Sequence, residues 1–161
     1  MTNNIFEKLA DRWKDVDYME SESDIPEIKG REIHTKMLYN LITQIPDLSI
    51  TCAIINSSPT LKAQFKTAIN STFLAITDES WLSIFSYEEL DATPNQFYET
   101  VLYGLIQGKY TYHKHGQYIR NINNEDLLVE RDRDQIYIEN IRLKINNTSY
   151  ITNTNCVLYL I

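Results

Sequence analysis

The chain has 161 residues, with 15 Lys and Arg against 22 Asp and Glu, and therefore a formal net charge of -7. Hydrophobic residues make up 43% of the sequence and include 11 Tyr, 5 Phe and 2 Trp, which excludes a disordered chain of low hydrophobicity. The length fits one compact domain with a sizeable core, and no apolar run approaches the roughly 20 residues of a membrane-spanning helix.

The N-terminal segment 1–19 is predicted to hold an amphipathic helix over residues 5–18, because its apolar residues recur at helical spacing. Asn4 is its predicted N-cap, and Glu7 stands three positions later to complete a capping box. Segment 20–32 is acidic, contains a Pro and a Gly and has no periodicity. It is predicted to be a loop or tether from which the first helix can swing away.

Residues 33–108 are predicted to form a helical part with one strand. Apolar positions from 33 to 45 cover one half of a helical wheel, and Pro46 ends that helix. Residues 48–55 are apolar on both alternating faces and rich in β-branched side chains. This pattern predicts a buried strand near the centre of a sheet.

The next apolar stripe predicts a helix that starts at Ser58, as cap, and Pro59, and continues to Ile76. A short helix with Asp78 as its cap is expected through Phe85, followed by an irregular stretch over 86–92. A further helix over 94–107 is expected from a capping box at Thr93 and Gln96, with Gly108 as its stop.

From residue 109 to 161 the period of the pattern changes from 3.6 to 2, which predicts an antiparallel meander of five to seven short strands. The alternation slips by one near Asn140, where a bulge or tight turn is expected. The predicted strands lie near 109–114, 117–122, 127–131, 135–139, 141–146, 148–152 and 156–161. The whole chain is thus expected to be a single α+β domain.

The sequence has three histidines, His34, His113 and His115. On a strand, His113 and His115 would project to the same face about 7 Å apart and could share a metal ion with His34 or a carboxylate. A simpler interpretation makes His115 and Gly116 a hairpin loop, pairs His113 with Tyr118, and leaves His34 partly buried in its helix. We favour the simpler interpretation and assign no metal site.

Other catalytic arrangements have little support. Cys52 and Cys156 lie in apolar segments and are expected to be small buried hydrophobes without a disulfide. The four glycines are too scattered for a phosphate-cradling loop. The carboxylate groups fall at a helix end or in predicted loops, where water keeps them ionised: Asp15/Asp17, Glu88/Glu89/Asp91 and Asp132/Asp134. We therefore assign no catalytic residue and no cofactor.

Tyrosine and charge give the remaining indications. Six Tyr lie in the last third, at 110, 112, 118, 137, 150 and 159. They suit either strand packing or a protein interface. The apolar segment 156–161 is expected to be tucked into the sheet or buried against another chain.

Charge is distributed unevenly along the chain. Residues 1–30 carry eight acidic and four basic side chains, residues 31–108 carry eight and four, and residues 109–161 carry six and seven. Nucleic acid is therefore a disfavoured partner.

These features favour a non-catalytic structural or interaction protein, a subunit of a larger assembly formed as a homo-oligomer or a hetero-complex. Abundant Ile and Asn with scarce Ala suggest an AT-rich genome, and a phage virion component such as a head-tail or tail protein is the assembly we expect. With no secretory or membrane signal, the protein is expected in the cytoplasm, or in the virion after assembly. The alternatives are a metal-dependent hydrolase that uses the histidines, and an acidic inhibitor or immunity protein that masks a basic target.

Overall fold

The computed structural model describes residues 31–32, 37–109, 115–133, 135–139, 141–142, 150–152 and 155–161. Helices and two sheets are present, with an antiparallel sheet in the C-terminal part, so the predicted α+β class is confirmed. The predicted helix over 5–18 and most of the predicted tether lie outside the described residues. The last two residues of that tether, Arg31 and Glu32, form a short strand, so the prediction of a loop is wrong there.

Six α-helices and nine strands are defined in the described residues. The helices are α1 Leu38–Gln44, α2 Ser49–Asn56, α3 Pro59–Thr67, α4 Asp78–Leu82, α5 Tyr87–Ala92 and α6 Tyr98–Tyr103, with 3-10 turns at Pro46–Leu48 and Pro94–Phe97. The strands are β1 Arg31–Glu32, β2 Ser71–Ala75, β3 Leu105–Gln107, β4 Tyr118–Arg120, β5 Asp126–Asp132, β6 Gln135–Ile138, β7 Ile141–Arg142, β8 Tyr150–Ile151 and β9 Val157–Leu160.

The first sheet has five strands in the order β1-β8-β9-β2-β3. Strand β9 runs parallel to β2, with Thr72 opposite Val157 and Ala75 opposite Leu160, whereas β3 pairs antiparallel on the other side of β2. The two central strands are buried from Thr72 to Ala75 and throughout β9. The apolar segment 156–161 is therefore buried in the sheet, which is one of the two outcomes that its sequence predicted.

The second sheet is an antiparallel meander in the order β4-β5-β6-β7. Ile138 opposes Ile141 across β6 and β7, so only two residues connect these strands, and the tight turn predicted near Asn140 is confirmed. The predicted segments 148–152 and 156–161 do not extend this meander. They contribute β8 and β9 to the first sheet, because their partners are the distant strands β1 and β2.

The predicted strand over 48–55 is wrong. After the 3-10 turn, these residues form helix α2, and its buried side chains are Ile50, Thr51, Ile54 and Ile55. The i, i+1, i+4, i+5 spacing is that of one helical face, while the less buried Cys52, Ala53 and Asn56 occupy the other. Packing of this face against the core outweighs the low helix propensity of the β-branched residues.

Two predicted helices extend beyond the ends of the observed helices. In each case the chain continues into a buried strand, and a strand buried on both faces lacks the alternating apolar and polar pattern that would distinguish it from a helix. Helix α3 starts at Pro59 with Ser58 as cap, as predicted, but ends at Thr67, and the chain then forms β2. Likewise, the predicted helix over 94–107 is a 3-10 turn, helix α6 and then strand β3. The helix predicted to end at Pro46 is present from Leu38, and its residues 33–36 lie outside the described part.

Residues 86–92, expected to be irregular, form helix α5. The Ser86 hydroxyl accepts a hydrogen bond from the Glu89 N–H, and the Glu89 carboxylate accepts one from the Ser86 N–H, which completes a capping box. Thr93 and Gln96 do not cap the next turn in the predicted way, since Gln96 instead donates from its side-chain amide to the Thr93 hydroxyl at 2.6 Å. The cap of α4 is Thr77 rather than the expected Asp78.

Aromatic side chains join α3 to the first sheet and α4 to the second 3-10 turn. Phe65 of α3 packs against Phe73 of β2 edge to face with 4.7 Å between ring centroids, and Trp81 packs against Phe97 in the same manner at 5.4 Å.

No single described helix is long and apolar enough to cross a membrane. The bent pair Leu38–Gln44 and Pro46–Asn56, with an angle of 106° between its two helices, has the length and composition of a span only when both are counted together.

A buried polar chain ties α2 to α4 and to the end of β2. The Trp81 Nε1–H donates to the Thr51 hydroxyl at 2.9 Å, and that hydroxyl donates to the Ile76 carbonyl at 2.7 Å. Trp81 is completely buried and Thr51 is 1% exposed, so each polar group has its partner without access to solvent. The orientation of α2 is thereby fixed relative to the sheet.

We expect Thr51→Val to lower the free energy of unfolding by about 1–3 kcal/mol, because it leaves the buried Trp81 N–H without an acceptor. Equilibrium urea denaturation measures this change. Thr43→Val is the matched control, since Thr43 is exposed on α1 and its hydroxyl only bonds the Asn40 carbonyl. The control should stay within about 0.5 kcal/mol of the wild type, and equal losses for both variants would refute the role of the Thr51 hydroxyl.

Candidate functional site

A groove between α2 and α5 is the candidate site. Its volume is about 360 Å³, and it is partly open to solvent. Ile50 and Ile54 of α2 and Leu90 of α5 form its apolar floor, each at most 7% exposed. The volume lies at the lower end of the roughly 300–1,000 Å³ that is typical of ligand pockets.

The rim of the groove carries polar and aromatic groups. Tyr87 and Asp91, one turn apart on α5, line one side, and the Tyr87 side chain is 61% exposed. Ala53 of α2 and Ser57, the residue that follows this helix, line the other and are both exposed. A ligand in this groove would therefore meet an apolar base, a phenol ring and a carboxylate.

Helix α5 owes its position to the capping box at its start. Ser86 and Glu89 satisfy each other's backbone N–H groups, with the Ser86 hydroxyl accepting from the Glu89 N–H at 3.2 Å. This cap fixes the first turn, so Tyr87, Leu90 and Asp91 fall on one face at i, i+3 and i+4. Leu90, the buried member of this face, anchors the helix to the core.

Helix α2 is held at its N-terminus by a carboxylate from another helix. Asp78 of α4 accepts a hydrogen bond from the Ile50 N–H at 2.8 Å and another from the Ser49 hydroxyl. A carboxylate at this end of a helix satisfies a free backbone donor and complements the helix dipole. At the other end, the Ser57 hydroxyl bonds the Tyr98 hydroxyl at 2.8 Å and thereby connects α2 to α6.

The electrostatic character of this region is uniformly acidic. Between Lys66 and Lys109 the sequence has no Lys, Arg or His, and it has six carboxylates: Asp78, Glu79, Glu88, Glu89, Asp91 and Glu99. Helices α4, α5 and α6 all lie in this interval. Glu88 and Asp91 are exposed one turn apart on α5, and neither pairs with a cationic side chain among the described residues.

The predicted histidine site is only partly within the described residues. His115 and Gly116 form a turn, in which Gly116 has a φ of 81°, and His115 Nδ1 accepts a hydrogen bond from the Arg131 N–H at 3.0 Å. This hydrogen bond connects the turn to β5 and occupies one of the two ring nitrogens of His115. His34 and His113 lie outside the described part of the chain, and the described residues contain no cluster of three or more His, Cys, Asp or Glu suited to a metal.

The two cysteines are separate free thiols. Cys156 is buried, as expected, next to the Ala68 carbonyl. Cys52 lies half-buried on α2, and burial raises the pKa of its thiol above the ordinary value. A hydrogen bond from Asn56 and the positive charge of Lys62 lower the same pKa, but their effects are smaller. A thiol in this state is a weak nucleophile at neutral pH.

The candidate carboxylates and tyrosines are dispersed. Glu88, Glu89 and Asp91 lie on a helix rather than in the predicted loop, Asp132 lies on β5, and Asp15, Asp17 and Asp134 are outside the described residues. Tyr137 and Tyr159 are core residues, at 3% and 0% exposure, whereas Tyr118 is 64% exposed. Burial in the core, rather than contact with a partner, thus explains two of the predicted tyrosines.

The groove is not evident from the sequence, because residues 48–55 have the pattern of a strand and residues 86–92 that of an irregular stretch, whereas both form helices. Two local signals point to helices here. Ser86 and Glu89 have the spacing of a capping box, and the apolar pair Ile50 and Ile54 has helical spacing. The pairing of the two helices across the groove has no signal of its own in the sequence.

Comparison with known proteins gives no assignment, because no protein-family model matches the chain and a search of curated proteins finds no match.

Ser86→Ala is expected to lower the free energy of unfolding by about 1 kcal/mol, because it removes the hydroxyl that caps α5. Urea denaturation measures the loss. Glu89→Gln is the matched comparison, since its side-chain carbonyl can still accept from the Ser86 N–H, and we expect a smaller loss. A Ser86→Ala variant as stable as the wild type would contradict the capping argument.

At pH 8, we expect Cys52 in the folded protein to react with iodoacetamide more slowly than an unstructured cysteine. Its raised pKa keeps more of the thiol protonated, so the rate should rise only at higher pH. Asn56→Leu should slow the reaction further, because the Asn56 hydrogen bond lowers that pKa. Mass spectrometry of the alkylated peptides gives the rates, with Cys52→Ser as control, and a rate equal to that of a free thiol would show the prediction to be wrong.

Proposed function

We propose that this chain is a non-catalytic interaction protein, a subunit of a larger protein assembly, that binds another protein chain through the groove between α2 and α5. The observation that carries the proposal is the solvent-facing groove itself, in which a buried apolar floor is combined with an exposed tyrosine at the rim. The chain would act in the cytoplasm, or in a virion after assembly.

The groove has the composition of a protein-binding surface. Interfaces typically combine an apolar centre with a polar rim, and Tyr is enriched among the side chains that contribute most to binding. Ile50, Ile54 and Leu90 provide the apolar centre, whereas Tyr87 and Asp91 provide the rim. An apolar side chain inserted between the two helices would displace water from the floor, at about 25 cal/mol for each Å² of apolar surface buried.

The supporting helices favour a preformed site. Asp78 holds the N-terminus of α2, and the capping box holds the start of α5. Since the groove walls are fixed by hydrogen bonds within the protein, binding would require little ordering of the chain and would retain more of its favourable free energy.

The composition favours a phage particle as the assembly, on the bias toward Ile and Asn described above. The six carboxylates between Lys66 and Lys109 favour one second candidate, an acidic inhibitor or immunity protein that masks a basic target. Both candidates are binding proteins and predict the same contact surface. They differ in the partner, which would be a structural subunit in the first case and an active protein in the second.

We expect Ala53→Gln to abolish stoichiometric co-purification of the partner from the cells that naturally make the protein. Ala53 is exposed on the groove wall, and the longer neutral side chain fills the groove without changing the charge or the core. Ala63→Gln is the matched control, because Ala63 is also exposed on a helix, α3, but does not line the groove.

Pull-down with quantification of the bound chains, together with light scattering of the eluted complex, measures the outcome. Wild type and Ala63→Gln should retain the partner in a fixed ratio, and Ala53→Gln should elute alone. If the wild type elutes as a monomer without any partner, or if Ala53→Gln retains the partner as well as the control does, the proposed function is overturned.

A further inference from the structure

We infer that the occupant of the groove is a basic amphipathic helix, with an apolar side chain that inserts between α2 and α5 and with Lys or Arg residues on either side of it. This inference rests on the proposed function and specifies the chemistry of the partner. It follows from the charge around the groove and from the shape of its floor.

Two carboxylates of α5 are placed to contact such a partner. Asp91 lines the groove, and Glu88 is exposed one turn before it. Negative charge therefore lies on the α5 wall. Complementary charge speeds association and selects against acidic partners, whose like charges would repel.

The floor suits one row of apolar side chains. Ile50 and Ile54 are one turn apart on α2 and lie with Leu90 of α5 in the floor of the groove. An amphipathic helix presents apolar residues at i, i+3, i+4 and i+7, and insertion of these residues into a groove between helices is a recurrent mode of peptide recognition. The basic residues of the same helix would then lie beside the rim, within reach of Asp91 and Glu88.

The predicted N-terminal helix of the chain itself is a poorer occupant. The predicted helix over residues 5–18 carries four acidic and three basic side chains, and residues 19–30 carry four and one, so neither has the excess of positive charge that an acidic groove favours. Charge complementarity thus favours a separate, basic partner over the chain's own amphipathic segment.

The test uses the full chain and two synthetic helical peptides with the same Leu face, one with Lys and the other with Glu at the polar positions. Titration calorimetry should show binding of the Leu/Lys peptide and at least about tenfold weaker binding of the Leu/Glu peptide. Asp91→Asn should weaken Leu/Lys binding by about 2- to 5-fold, as expected for an exposed ion pair. Glu130→Gln on β5, which changes the net charge equally, should have no effect.

The groove variants show where the peptide binds. Ala53→Gln should remove Leu/Lys binding, and Ala63→Gln should leave it unchanged. Amide chemical shifts at Ala53 and Leu90 should respond to the peptide in the wild type. If the same amides shift in Trp13→Ala without peptide, the groove holds the chain's own N-terminal segment, and the inference is overturned.

Failure of the inference is distinguishable from failure of the proposed function. If both peptides bind equally, or if Asp91→Asn binds the Leu/Lys peptide as tightly as the wild type, the basic partner is refuted. The proposed function stands in that case if Ala53→Gln still loses the natural partner. If Ala53→Gln keeps the natural partner, the proposed function fails irrespective of the peptide results.

Discussion

The hydrogen-bonded chain from Trp81 through Thr51 to Ile76 is the interaction on which the remaining structure depends. It joins the side of α2, the middle of α4 and the end of the central strand β2, all within the core. A buried indole N–H has a large desolvation cost if it is unpaired, so only one orientation of α2 satisfies it. In that orientation Ile50 and Ile54 line the groove beside α5.

The parts of the fold that sequence predicts well are those fixed by local chemistry. Ser58 and Pro59 start α3 because a hydroxyl cap and a proline at the first helical position act within one turn. The tight turn near Asn140 follows from a change in the alternating pattern, which is also local. The α+β class follows from the switch between the two periods along the chain.

The parts that sequence predicts poorly depend on contacts between distant residues. Thr72–Ala75 form a strand that pairs in parallel with Val157–Leu160 and, on its other side, antiparallel with β3, and no periodicity in the sequence indicates either pairing. Strand propensity is likewise overruled in α2, where packing of Ile50, Ile54 and Ile55 against the core decides the conformation. The candidate site combines both difficulties, because one wall is this helix and the other is α5, which joins it only in the folded protein.

The position of β9 has a consequence for how the protein is made. This strand is inserted between β8 and β2, so the centre of the five-stranded sheet cannot form until residues 157–160 have left the ribosome. Until then the nascent chain exposes an unpaired edge of β2, which a chaperone or a neighbouring polypeptide can bind. Pairing of β2 with β9 closes a long loop, and such non-local pairing slows folding.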